Sequence, residues 1–181
     1  FGRPTAVAFF DYDTGATTAE IRGVEFDENA VGVSVYGLGS GSFEGTIAGN
    51  TMNGRAESYL DRNSGISYTG HEDFAGTLLV DGNSITSQYA GATGVFLSLG
   101  RYGTGNGNLH ATVTNNQISL LSTGYKPGLG SYSGGDFLVC GNLRDNVISD
   151  YTTGIGVNQV APSRFRLEVP GGTGAYLTDP E

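Results

Sequence analysis

The sequence predicts an all-β fold, a right-handed parallel β-solenoid, from three observations: short apolar runs divided by glycine, two landmarks that recur along the chain, and a fixed distance between them. Glycine supplies 31 of 181 residues and charged residues only 15%. An ordinary soluble domain is roughly 25% charged. So much glycine would suit disorder, but here it alternates with runs of Val, Ile, Leu, Phe and Tyr and does not stand in polar tracts. Many short strands with tight turns follow.

The first landmark is an Asn followed two residues later by an aliphatic: Asn29 with Val31, Asn50 with Met52, Asn83 with Ile85, Asn116 with Ile118, Asn146 with Ile148. The second is a Gly opening a short run: Gly32, Gly65, Gly94, Gly128 and Gly154. Gly32 to Asn50, Gly65 to Asn83 and Gly128 to Asn146 each span 18 residues; Gly94 to Asn116 spans 22, which an insertion at residues 102–106 (YGTGN) explains. The Asn-to-Gly legs vary freely. Stacked coils behave this way, because only paired strands must stay in register. Counting 18 on from Gly154 reaches Gly172, and a strand, RFRLEV (164–169), stands in the expected place before it.

Aligned on this phase, the position three before each landmark holds Phe26, Ile47, Val80, Val113, Leu143 and Val169, all apolar, while Glu25, Thr46, Thr112, Asn142 and Glu168 alternate with them. Period-two alternation marks a half-buried strand. The expected architecture is a stack of about five to six coils with variable loops on one side. Residues 1–20 form an N-terminal capping or docking segment, residues 21–170 the coils and residues 171–181 a tail. Asn29, Asn50, Asn83, Asn116 and Asn146 occupy the corners, where Asn tolerates the left-handed bend and can ladder along the stack. The alternative is an antiparallel meander or barrel, with hairpins at residues 43–56 and 76–88. Hairpins give no reason for a fixed 18-residue leg.

A net charge of −9 with scattered basic residues argues against nucleic acid as a partner. No apolar run approaches the roughly 18 residues of a membrane span, so no membrane insertion is expected. The chain opens on Phe1, which reads as a processed product or an excerpt of a longer protein. Cys140, the one cysteine, sits beside Phe137, Leu138 and Val139 and reads as a buried structural thiol.

The phrases GNTM (49–52), GNSI (82–85), NNQI (115–118) and DNVI (145–148), each followed by a Gly-led strand, resemble the repeats of right-handed parallel β-helix proteins of bacterial secretions and surfaces. The resemblance runs from about Ile21 to Val169 and implies an extracellular or cell-surface location. It says little about activity, since that family includes adhesins, passenger domains, tailspikes and polysaccharide lyases.

Glycan enzymes of that family work with carboxylates on the strand face, so Glu25, Asp27 and Glu44 are the candidate acidic site. Hydrolysis needs two carboxyls about 5–10 Å apart. The preferred reading is a polar outer face of the kind any solenoid needs. Tyr59, Tyr68, Tyr89, Tyr102 and Tyr132 are candidate contacts for glycans or protein partners, or else they close the core. His71, Glu72 and Asp73 lack a further ligand at metal spacing, so no metal site is expected. DYDTG (11–15) opens like a calcium loop without its later acids, which leaves Ca2+ as the one alternative to no cofactor. The function expected is a non-catalytic structural or adhesive module that self-associates or belongs to a longer solenoid. Its competitor is an extracellular polysaccharide lyase, hydrolase or glycan-binding β-helix.

Overall fold

The computed structural model describes residues 5–55, 64–89, 91–100, 105–167 and 175–177. They form an all-β parallel solenoid of about five turns without a helix. The first coil is β1 (Thr5–Asp13), β2 (Ala16–Arg22) and β3 (Glu25–Asn29); the second is β4 (Val31–Gly39), β5 (Ser42–Ala48) and β6 (Thr51–Gly54). The third is β7 (Ser64–Gly70), β8 (Ala75–Asp81) and β9 (Ser84–Ser87). The fourth is β10 (Thr93–Leu99), β11 (Asn108–Thr114) and the start of β12 (Gln117–Ser133). The fifth runs from the rest of β12 through β13 (Leu138–Arg144) into β14 (Val147–Gln159); β15 (Arg164–Leu167) and β16 (Ala175–Leu177) follow.

Like strands of successive coils pair in parallel, and their register steps run from 25 residues (Asn29 onto Gly54) to 34 (Val95 onto Leu129). One face is a seven-stranded sheet, β16-β15-β13-β11-β8-β5-β2. The other two faces join into a nine-stranded sheet, because β12 passes through both ladders. The single antiparallel pair among the described strands is β15 with β16. The hairpin alternative is set aside by this topology: β5 and β6 belong to different sheets, as do β8 and β9.

Alternate side chains point inward and stack into columns, as the strand pleat requires. Ile47, Val80, Val113 and Leu143 form one column, and Val33, Ile66, Val95 and Leu129 another. Phe74 and Phe137, from connections between strands, are fully buried and fill the places opened by Gly37 and Gly100. Of the strand expected at residues 164–169, residues 164–167 form β15, with Phe165 paired to Val139, while Glu168 and Val169 lie outside the described residues.

The first coil departs from the expected phase. Its corner, one 26-residue step before Asn50, falls on Val24 and not on Asn29, so Ile21 and not Phe26 lines up with Ile47. Phe26 instead heads the column Met52, Ile85, Ile118, Ile148. Residues 5–20, set apart in the sequence as a cap, continue the same ladders as β1 and most of β2. With no Asn at its corner, this coil shows no landmark to the eye. The connections of variable length leave from two corners and not one: β5–β6, β8–β9, β11–β12 and β13–β14 are each joined by two residues, whereas both other corners differ from coil to coil.

Candidate functional site

At the constant corner a residue with left-handed backbone precedes each Asn: Gly49 (φ 61°), Gly82 (62°), Asn115 (57°) and Asp145 (58°), with Gly23 (63°) before Val24. The bend therefore sits one residue before the position the sequence suggested, where Gly is free of Cβ strain and Asn or Asp tolerates it. The corner Asn is left with its side chain turned along the stack.

The Asn50 backbone N–H and Nδ2 both donate to Oδ1 of Asn83, at 3.0 and 2.9 Å. Asn83 treats Asn116 the same way (2.9 and 2.9 Å), as does Asn116 with Asn146 (3.1 and 2.9 Å). Each Nδ2 also donates to a carbonyl one coil back: Ile21 from Asn50, Ile47 from Asn83, Val80 from Asn116, Val113 from Asn146. Asn50, Asn83 and Asn116 are buried, and their amides are satisfied in full. Val24 N–H donates to Asn50 Oδ1 and ends the ladder. Asn29 lies outside it, its Nδ2 donating to the Asp27 carbonyl.

Asp81, just before this corner, accepts from Asn115 Nδ2 (2.8 Å) and Thr114 Oγ1 (2.7 Å). Those bonds, Asn115 foremost, hold its carboxyl below the usual value. A lowered folded pKa gives stability that is present above the unfolded carboxylate range, about 3.9, and lost as pH falls through the folded value. We expect wild type to exceed Asp81→Asn in stability at neutral pH, with the gap closing in acid; thermal melts across pH 2–7 measure it, and a gap independent of pH would refute the assignment.

Glu44 is not brought beside the other two candidate carboxylates. Glu25 and Asp27 stand on β3 in the nine-stranded sheet, Glu44 on β5 in the seven-stranded sheet. Asp27 Oδ1 accepts from Asn53 Nδ2 at 2.9 Å. Beside this pair a shallow, solvent-open cleft runs along the corner where β3, β6 and β9 end, lined by Asn29, Asn53, Arg55, Thr86 and Ser87 over Met52 and Ile85. Asp11 of the calcium-like loop accepts from Thr17 Oγ1 at 2.9 Å, and no group of three metal-type ligands occurs among the described residues. Cys140 is buried in β13.

Of the candidate tyrosines, Tyr59 and Tyr102 lie outside the described residues. Tyr89 is half-buried between β9 and β10, and Tyr132 is half-buried in β12. Tyr68 is no surface contact: it falls on an inward position of β7, fully buried between Phe43 and Phe74. Burial, reinforced by the Asp11 charge, pushes its phenol well above the ordinary value, and burial pushes Tyr151 up to about 12. A raised folded pKa keeps its stability below the unfolded phenol value, about 10, and loses it as pH rises beyond. The Tyr68 hydroxyl has no hydrogen-bond partner among the described residues. Tyr68→Phe is therefore expected to unfold at higher pH than wild type and to be at least as stable at pH 7, since it removes an unpartnered buried hydroxyl; an alkaline titration followed by circular dichroism tests both.

Sequence reasoning missed the aromatic surface of the first two coils. Phe10 and Tyr12 of β1 are 62% and 59% exposed. Their rings lie parallel with centroids 6.3 Å apart, and Tyr36 of β4 meets both at 6.2 and 6.1 Å. The signal was the alternation in FFDYD, legible only once residues 5–13 are taken as a strand. Compared with known protein families, curated proteins and solved structures, the chain matches none of them.

Proposed function

We propose that the chain is a non-catalytic structural or adhesive module of an extracellular surface or matrix, associating with further copies or coils through its last coil. The observation that supports this is the way the core column ends. Val33, Ile66, Val95 and Leu129 are at most 4% exposed, yet Ile155, next in the same column, is 50% exposed. Around it Val157, Leu143 and Phe165 line an apolar hollow, and β14 pairs only with β12 among the described strands. A long strand edge with exposed apolar side chains favours addition of another chain. The parallel ladders support a rod-like carrier.

Light scattering at micromolar concentration tests this reading, with a mass well above the 18.8 kDa chain expected. Ile155→Lys should return the mass to that of one chain while leaving the circular dichroism spectrum unchanged, since a charge on the edge opposes pairing. A monomeric wild type would overturn the proposal. The cleft beside Asp27 and Asn53 favours a second reading, glycan processing or binding. New reducing ends or unsaturated uronates from incubated polysaccharides, lost in Asp27→Asn, would establish it.

A further inference from the structure

We propose that the outer edge of β1 docks an extended cationic segment of another chain, added as a strand with its Arg or Lys side chains lying over Phe10, Tyr12 and Tyr36. This contact is chemically different from the apolar last coil and does not depend on self-association there. Three separate observations converge on it.

The first is the edge. β1 ends the nine-stranded sheet, so alternate backbone N–H and C=O groups along its nine residues face away from β4 with no strand beyond them among the described residues. Natural edges are usually guarded by Lys, Pro or a bulge. Thr5–Asp13 (TAVAFFDYD) contains neither residue, and its register with β4 runs without a shift. Of its two acids, Asp11 and Asp13, the first is engaged by Thr17.

The second is the aromatic surface. Phe10, Tyr12 and Tyr36 present adjoining rings on the outer side of this same edge, two of them more than half exposed. Ring faces attract a guanidinium or ammonium group, worth about 0.5–1 kcal/mol at an exposed site. A strand laid beside β1 would place alternate side chains on that outer side, one rung from the rings.

The third is charge, and it chooses the partner. Residues 5–29 hold six carboxylates and one arginine, Arg22, which pairs with Glu20. A second copy presenting the same coil would bring like charge to like. A neutral glycan would meet the rings but leave the strand edge unused. An extended basic segment satisfies backbone, rings and charge together.

Fluorescence anisotropy of short labelled peptides against the full chain tests the proposal. A peptide alternating Arg with Val should bind, weakening as salt rises, and its Glu-Val counterpart should not. Phe10→Ser/Tyr12→Ser changes exposed side chains only and should weaken binding roughly tenfold, the sum of two ring contacts. N-methylation of alternate peptide amides should abolish binding, and hydrogen exchange should slow at β1 amides when the Arg-Val peptide is present. Equal binding of the Glu-Val peptide, indifference to the ring substitutions, tolerance of N-methylation or unchanged exchange at β1 would each overturn it. Loss of the wild-type mass in light scattering through Phe10→Ser/Tyr12→Ser, without any peptide, would instead assign the edge to a second copy.

Discussion

Asn83→Ala is expected to destabilise the chain by about 3 kcal/mol, since each buried hydrogen-bonding group left without a partner costs about 1–3 kcal/mol. Removing the amide strips Asn50 of the oxygen that receives both its backbone N–H and its Nδ2, and it takes from the Ile47 carbonyl its side-chain donor. Asn116 Oδ1 loses one of its two donors from Asn83, because the Asn83 N–H keeps its place but Nδ2 is gone. No water reaches this corner readily, as Asn50, Asn83 and Asn116 are at most 1% exposed. Asn29→Ala provides the control. The Asn29 side chain bonds a nearby carbonyl at the surface, so its loss should stay within about 0.5 kcal/mol. Equilibrium urea unfolding reads both. Equal effects at Asn29 and Asn83 would mean that the ladder contributes little and that the corner is held by its backbone alone.

The contrast between those two asparagines also marks how far the sequence was legible. Strand faces, parallel stacking and four of the five corners followed from spacing, because a ladder forces equal phase wherever strands pair. The fifth corner did not follow. Asn29-Ala30-Val31 mimics the Asn-x-aliphatic landmark, but it closes β3 at a different corner, and the true first corner carries Val24. A coil at the end of the ladder has no earlier carbonyl to receive an Asn Nδ2, so nothing demands Asn there. Tyr68 was undecided for a related reason. Composition left it open between a surface contact and a residue closing the core, and only the alternation Ile66, Tyr68 along β7 puts it on the inner face. Carboxylates are harder still: Glu25, Asp27 and Glu44 are close in sequence, yet which sheet each joins depends on where the chain turns.

The two sequence landmarks turn out to be one contact, and this gives the second large effect. Gly32, Gly65, Gly94 and Gly128 stack one above another, and each faces the aliphatic two residues after the corner Asn of its own coil: Met52, Ile85, Ile118 and Ile148. The recurring 18-residue leg from glycine to corner Asn, 22 in the fourth coil, brings the aliphatic two residues further on back beneath the glycine. A methyl at Gly65 would stand 2.4 Å from Ile85 Cγ2 and 2.9 Å from the Gly94 carbonyl oxygen. Gly65→Ala is therefore expected to cost about 2–3 kcal/mol through overpacking. Ile85→Ala alone empties part of the core and should cost about 2–5 kcal/mol. Combined, the two should cost less than their sum by about 1 kcal/mol or more, because Ile85→Ala removes the methyl that the new one would strike. Ile85→Val keeps a Cγ methyl and should give no such relief. Relief from Ala but not from Val places the clash at that one methyl, whereas simple additivity in both pairs would mean that the glycine answers only to the carbonyl of the next coil.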